Sequence, residues 1–190
     1  MQIDLNGRTV QLHGDKTPLI AAGLAAIVAN GATLDDKQTA PDLLLVSLPL
    51  LPRDDVDTSS LVTAARTTGE AMYARGSGRI VFIMSAVAGI PMRRHPGFSV
   101  EMAATLTAMR ALAMTLGPAV LVNALGVGPI GAPLLGGDAA MLGHASVARP
   151  GTVEEVVAAL LFLCDPLNSY TTGQLLSVDG GWSAGYARNF

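Results

Sequence analysis

Short apolar runs and longer helical patterns alternate along the 190-residue chain. A β-branched run follows Arg8, and the Ala- and Leu-rich stretch from Pro18 to Asn30 has the composition of a helix that stops at Gly31. The later strands are continuous apolar runs, typical of strands buried on both faces. They are Leu43–Leu48, Arg79–Met84, Val120–Ala124 and Leu175–Val178, and the helices between them are about Asp57–Ala74, Phe98–Leu116 and Thr152–Cys164. This order predicts an α/β fold with a doubly wound, mostly parallel sheet of about five strands.

The connection that leads to the strand at Leu43 is short. Only about ten residues join Gly31 to Leu43, whereas a complete doubly wound sheet has a further strand, helix and strand here. We therefore expect the second strand, its helix and the third strand to be deleted or reduced to a stub at 32–34. Segment 32–42 then replaces this unit. Because no internal repeat is visible, residues 1–190 are expected to form a single domain.

Charge and cysteine content narrow the classes of function. Charged residues make up 14% of the chain, with 12 basic and 15 acidic side chains and no basic cluster longer than Arg93-Arg94-His95, so we expect no nucleic-acid binding. The stretch from Ala111 to Gly137 has no ionisable side chain, but its glycines and prolines cut it into pieces too short to cross a membrane. The single cysteine, Cys164, and the lack of a cationic leader favour a cytoplasmic protein.

Several motifs occur in the order and spacing of one known family. They are Gly78–Ser85 followed by Gly89, Leu121–Ala124 with Gly128-Pro129-Ile130, Arg149–Thr152 with Glu154-Glu155-Val156, and Thr172-Gly173-Gln174 through Asp179-Gly180-Gly181-Trp182. On these residues the chain resembles the short-chain dehydrogenases/reductases over nearly its whole length. The resemblance implies a Rossmann-like fold, a nicotinamide cofactor and a catalytic serine, tyrosine and lysine.

The catalytic residues of that family are only partly matched. Ser85 stands at the serine position, but the tyrosine position falls on Phe98 and the lysine position on Met102. Proton transfer in the family needs an ionisable phenol with a cation beside it. The chain's only lysines are Lys16 and Lys37, and it contains no Tyr-x-x-x-Lys sequence. We therefore expect Ser85 to be vestigial and this chain alone to have no dehydrogenase activity.

The cofactor motifs of the family are also altered. Of the glycines that let a backbone approach a pyrophosphate, only Gly14 is matched. The second and third positions fall on Pro18 and Ile20, and Ile20 is expected to put a branched side chain where the phosphates would lie. The stretch beside the adenine is Ser47-Leu48-Pro49-Leu50, and the threonine near the nicotinamide is replaced by Ala132. In the family, the unit that segment 32–42 replaces binds adenosine. We therefore expect this chain to bind no cofactor, so NAD or NADP would be held only by a partner subunit.

Other candidate residues have simpler interpretations. Arg93–His95 could contact an anion or form a solvated loop, and Cys164 is expected to be a buried packing residue rather than a nucleophile. His13 and His144 have no ligand at metal-binding spacing, so no metal is expected. The aromatic segment Trp182–Phe190 could dock on a neighbouring subunit or pack on its own fold.

Three functions remain open. The first is a catalytically inactive pseudoenzyme subunit that assembles with an active paralogue of the family in a heterotetramer. The resemblance permits a partner of the hydroxyacyl-CoA type in degradation of aromatic compounds, and it implies that helix 98–116 and segment 149–186 form subunit interfaces. The second is a homo-oligomeric ligand-binding or regulatory protein that uses the cleft near Ser85. The third is an enzyme with other chemistry that uses Ser85 and Arg93–His95, although Ser85 could also simply bond to local backbone.

Overall fold

Six parallel strands form one sheet in the computed structural model, which describes residues 1–53, 55–131 and 145–185. The strands are β1 (Thr9–Gly14), β2 (Thr33–Leu34), β3 (Leu43–Ser47), β4 (Gly78–Ser85), β5 (Val120–Val127) and β6 (Leu175–Val178). The helices are α1 (Pro18–Ala29), α2 (Ser59–Arg75), α3 (Pro96–Leu116) and α4 (Val153–Cys164). The spatial order is β2-β1-β3-β4-β5-β6, so the predicted doubly wound α/β fold is confirmed.

The sheet separates two apolar layers. Successive side chains of a strand point to opposite faces, so Leu43 and Leu45 pack with α1 and α4 while Leu44 and Val46 pack with α2 and α3. Every residue of β3 is buried as a result. Burial on both faces explains why the central strands are continuous apolar runs in the sequence.

The strand β2 corrects the expected strand number. Thr33 and Leu34 pair with Thr9 and Val10 of β1, so the second strand is reduced to two residues and not deleted, and the sheet has six strands where about five were predicted. The Thr33 N–H donates to the Arg8 carbonyl at 2.8 Å and the Asp35 N–H to the Val10 carbonyl at 3.0 Å. This short pairing satisfies backbone groups at the edge of β1. Residues 35–42 then lead to β3 without a helix.

The last helix begins at a capping box. The Glu155 N–H donates to Thr152 Oγ1 at 3.2 Å, and the Thr152 N–H donates to Glu155 Oε2 at 2.8 Å. Arg149 donates to both carboxylate oxygens of Glu155, at 3.0 and 2.6 Å. The Arg149 guanidinium, together with the Thr152 N–H, lowers the pKa of Glu155 to about 2. Within the described ranges, no helix is both long enough and apolar enough to cross a membrane.

Candidate functional site

A cavity of about 420 Å³ opens at the carboxyl ends of the central strands. Along the chain, β2 pairs with one edge of β1 and β3 with the other. This change of direction creates a crevice at the carboxyl ends of the strands, and open α/β sheets bind ligands in such crevices. Four loops and one turn line the cavity. They are residues 15 and 17–19 after β1, 48–53 after β3, 85–87 and 92 from the end of β4 onward, 127–130 from the end of β5 onward, and Trp182.

The turn after β1 is held tightly against β3. Gly14 has a φ of +95°, and a Cβ at this position would lie 2.2 Å from the Ser47 carbonyl oxygen, so the position requires glycine. The next residue, Asp15, is acidic and lines the cavity. Thr17 caps α1, accepting the Ile20 N–H at 3.3 Å, and Pro18 follows at the first helical position. Pro18 has no N–H, and the Ile20 N–H is already bonded to Thr17. Two of the backbone donors that a helix start could offer to an anion are therefore not available.

Ile20 does not lie where it was expected. Its side chain is 1% exposed and packs in the apolar layer beside α1 and α4, so the expectation that it would project into the phosphate position is wrong. The neighbouring residues Pro18 and Leu19 line the cavity instead. The physical reason is the helical turn that begins at Pro18, which directs position 20 toward the sheet.

The segment after β3 makes one wall of the cavity apolar. Leu48, Leu50 and Leu51 line it together with Pro49 and Pro52. The prolines carry no N–H, and the Leu48 N–H donates to the Ile83 carbonyl at 2.9 Å. Few backbone donors of this wall are therefore available to a polar ligand. Arg53 follows at the exposed end of the segment.

Ser85 ends β4 and lines the same cavity. Its side chain is buried, and its Oγ accepts the Val87 N–H at 3.4 Å, where it caps the short 3₁₀ turn Ala86–Ala88. This contact is the local backbone bond that was one interpretation of the serine. The bond uses an oxygen lone pair, so the hydroxyl hydrogen can still be donated into the cavity.

Phe98 and Met102 are both buried in the core. Both are on α3, with exposures of 3% and 0%, and both pack in the apolar layer with α2 and the sheet. Neither lines the described cavity. Tyr73, at the end of α2, and Tyr170, in the loop before β6, do not line it either. In the described residues, no tyrosine stands beside Ser85.

The remaining candidates contribute little to the cavity. Arg93 and Arg94 are exposed and do not line it. Cys164 is buried as expected, and its burial raises the pKa of its thiol to about 12. Burial lowers the pKa of His13, whose Nδ1 atom is buried. Of the other candidate residues, Ala132, His144 and 186–190 lie outside the described residues.

Trp182 is a cavity residue that the sequence reasoning assigned to the tail. Gly128 approaches Asp179 so closely that a Cβ on it would lie 2.5 Å from the Asp179 Cα. The Asp179 carboxylate accepts the Gly181 N–H at 2.9 Å and the Ser183 N–H at 3.0 Å. These bonds fix the turn that places Trp182 at the cavity. The Asp-Gly-Gly-Trp motif is visible in the sequence, but the position of Trp182 at the cavity depends on the fold.

The chain is similar to known enzymes in sequence and in fold. A family model described as Enoyl-(Acyl carrier protein) reductase matches residues 53–183. Cis-4-hydroxycyclohexanecarboxylate dehydrogenase of Sinomonas cyclohexanicum is 26% identical over 176 residues, which cover 90% of this chain and 70% of the relative. Galactitol 2-dehydrogenase of Cereibacter sphaeroides is 34% identical over 142 residues, covering 67% of this chain and 54% of the relative.

Solved structures agree with the fold. Gluconate 5-dehydrogenase from Burkholderia cenocepacia, in complex with NADP and tartrate, superposes with a TM-score of 0.79 at 18% identity and covers 96% of this chain and 97% of that chain. The chain belongs to the short-chain dehydrogenase/reductase family. It spans about half the length of several curated relatives. For example, the match covers 53% of the short-chain reductase protein NovJ of Streptomyces niveus.

Proposed function

We propose that this chain is a catalytically inactive subunit that assembles with an active NAD(P)-dependent dehydrogenase or reductase of its own family. One observation carries the proposal: the tyrosine and lysine positions hold Phe98 and Met102, which are buried in the core. A phenylalanine has no proton to exchange, and a thioether cannot lower the pKa of a phenol as a cation does. Ser85 without these partners supplies a hydrogen bond and no acid or base.

The described crevice residues do not fit a nicotinamide dinucleotide. A pyrophosphate needs backbone donors at the start of the first helix. Here Pro18 has no N–H, the Ile20 N–H is bonded to Thr17 Oγ1, and the acidic residue Asp15 lines the same cavity. The negative charge of Asp15 would repel a phosphate group that is placed near it. The adenosine side is reduced to the two-residue β2. The proposal therefore assigns NAD or NADP to the partner subunit only.

The assembly part of the proposal is supported by one face of α3. Val100 and Met114 are 68% and 84% exposed, and Ala103, Ala104 and Ala111 between them are also exposed. Small side chains let another helix approach closely, and large exposed apolar side chains are stabilised when a partner covers them. In the family that the chain resembles, the corresponding helices form contacts between subunits. We assign this face to the active partner.

The inactivity is tested with the isolated chain. Purified protein is assayed with NAD and NADP against a panel of alcohols and ketones, and its thermal unfolding is followed with each cofactor. The expected result is no turnover and no saturable shift of the unfolding temperature. Turnover above that of the Ser85→Ala variant, or a saturable shift with either cofactor, would contradict the proposal.

The assembly is tested with an intact paralogue from the same organism. The two chains are co-expressed, and the mass of the purified complex and its specific activity are measured. Ala104→Arg should abolish co-purification because it places a charged side chain on the α3 face. Ala25→Arg is the matched control, because Ala25 is also an exposed helical alanine but lies on α1. Equal co-purification of both variants, or none by the unmodified chain, would refute the assembly.

A further inference from the structure

We infer that a second cavity, at the amino ends of β1, β3 and β4, binds a small oxyanion of the phosphate type. This cavity lies at the opposite end of the strands from the crevice described above, which opens at their carboxyl ends. The oxyanion site goes beyond the assembly with an active partner and does not depend on it.

Residues at the starts of three neighbouring strands bound this cavity. Arg8 precedes β1, Asp42 precedes β3, and Arg79 is the second residue of β4. The loop between α4 and β6 contributes Pro166 and Ser169. The volume is about 280 Å³, just below the roughly 300–1,000 Å³ of sites for drug-sized ligands, so the cavity suits a small ion. Because the three strands are paired in parallel, the starts of these strands are held in fixed positions relative to one another.

Arg79 brings a half-buried positive charge to the cavity. Its Nη1 donates to the Asn168 carbonyl at 2.8 Å and its Nη2 to the Pro166 carbonyl at 3.1 Å, which uses two of its five N–H groups. Burial lowers the pKa of Arg79, an effect that Asp165 opposes and the like charge of Arg8 strengthens. Within the described ranges, no carboxylate lies within 4 Å of this guanidinium. Charges withdrawn from water are normally paired, so Arg79 lacks the counter-ion that an oxyanion would supply.

The acidic residue of the cavity, Asp42, is already satisfied by other groups. Its Oδ2 accepts the Thr9 N–H at 2.9 Å and the Thr9 hydroxyl at 3.0 Å. Its Oδ1 lies 3.3 Å from Arg8 Nη1 and 3.5 Å from Arg75 Nη2. These four contacts occupy the lone pairs of the carboxylate, and one negative charge is shared between two guanidiniums. With Arg79 the cluster has three positive charges, which exceed the two carboxylates that interact with them.

The other polar groups of the cavity also favour an anion. Ser77 and Ser169 line it, and a serine hydroxyl can donate to an oxyanion. Cys164 lines it as well, but burial raises the pKa of its thiol to about 12, so the thiol stays protonated at neutral pH and supplies no negative charge. Guanidinium groups bind phosphate oxygens through charge-assisted hydrogen bonds. Several donors around one small cavity therefore fit an ion that carries several oxygens.

Inorganic phosphate is the probe, titrated into the isolated chain by calorimetry at neutral pH. The ionic strength is held constant with sodium chloride, so that binding is separated from general screening. The expected result is saturable binding with a dissociation constant in the millimolar range or below. Heats that do not saturate in this range would overturn the inference.

A pair of serine variants locates the site. Ser169→Asp places a negative charge at the cavity and should weaken phosphate binding by about tenfold or more, because like charges a few ångströms apart repel. Ser60→Asp is the matched control, since Ser60 is also exposed and the variant adds the same charge, but Ser60 lies on α2 and lines neither cavity. It should change the dissociation constant by less than about twofold. Equal weakening by both variants would place the phosphate elsewhere and reject the site.

A pair of arginine variants separates this cavity from the crevice. Arg8→Gln removes one of the cavity's positive charges and should weaken phosphate binding by about threefold or more. Arg53→Gln is the matched control, because both arginines are exposed but Arg53 lines the crevice. Arg79 is kept in every variant, since its bonds to the loop after α4 also stabilise the fold. If Arg53→Gln weakens binding as much as Arg8→Gln or more, the anion binds in the crevice and the inference is wrong.

These measurements are distinguishable from the tests of the proposed function. The cavity is smaller than sites for drug-sized molecules, so a whole dinucleotide does not fit and the tests with NAD and NADP report on the crevice. Failure to bind phosphate would leave the assembly proposal standing. Failure to co-purify with a paralogue would leave the oxyanion site standing.

Discussion

Restoring the lysine of the family at position 102 should unfold the core and not repair a catalytic site. Met102 is 0% exposed and lies in the apolar layer between the sheet and α2 and α3. Met102→Lys would bury an ammonium group there. A lysine fully buried in an apolar environment has a pKa lowered to about 5–6 from about 10.4, because burial penalises its charged form.

The cost follows from the difference in pKa between the two states. At pH 7 the folded protein would hold the lysine neutral, and removing a proton from a group with an unfolded pKa of about 10.4 costs roughly 4–5 kcal/mol at 1.36 kcal/mol per unit. Between pH 7 and pH 10 the unfolded state binds more protons than the folded state, so stability rises with pH by about 1.4 kcal/mol per unit. At pH 9 the same variant should be only about 2 kcal/mol less stable than the unmodified protein.

Urea unfolding followed by circular dichroism at pH 7 and pH 9 measures both the cost and its slope. Met102→Leu is the control, since it nearly conserves volume and should cost less than about 1.5 kcal/mol at either pH. Should Met102→Lys lose less than about 1 kcal/mol with no dependence on pH, position 102 would open to solvent or to the crevice. The central argument for inactivity would then fail.

Three further predictions test individual features of the fold. Gly14→Ala should destabilise the protein by about 3 kcal/mol or more, because the Cβ would collide with the Ser47 carbonyl. Gly7→Ala, at a φ of +72° with nothing within 4 Å, should cost only about 1 kcal/mol in the same urea titration. Glu155 has a folded pKa of about 2, below its ordinary value of 4.5, so it stabilises the fold above pH 4.5 and this contribution is lost as pH falls toward 2. Glu155→Gln should therefore reduce the loss of stability that the protein shows between pH 4.5 and pH 2 in urea titrations. An unchanged loss of stability over this range would contradict the Arg149 pairing. Cys164 should resist a thiol reagent in the folded protein and react on unfolding, because burial raises its pKa to about 12; rapid modification of the native chain would disprove its burial.

The sequence predicted most of the fold because the signals were local and consistent. Continuous apolar runs identified β3, β4 and β5, and the helix predicted for Thr152–Cys164 agrees with α4. The two-residue β2 gave no such signal, since neither Thr33 nor Leu34 is buried. Its pairing is set by the exposed edge of β1, which is a property of the assembled sheet.

The sequence showed which residue types occupy the family's site positions, but it did not show where their side chains point. Substitutions at family positions identified Phe98, Met102 and Pro18 without any coordinates. Spacing alone could not show that Ile20 points into the core, because that direction depends on where α1 begins and how it packs on the sheet. The same is true of Trp182, which lies far from Gly14 in sequence and reaches the cavity through the turn that Asp179 holds.

These two differences from the sequence prediction change how the crevice is interpreted. If Ile20 filled the phosphate position, the crevice would be blocked and the chain would be only a structural partner. Because Ile20 is buried and Leu51 and Trp182 line the opening, the crevice is still a cavity, but its walls are apolar and Asp15 stands where donors are needed. The volume of about 420 Å³ that this leaves is the physical reason to test the isolated chain for ligands before treating it as assembly surface alone.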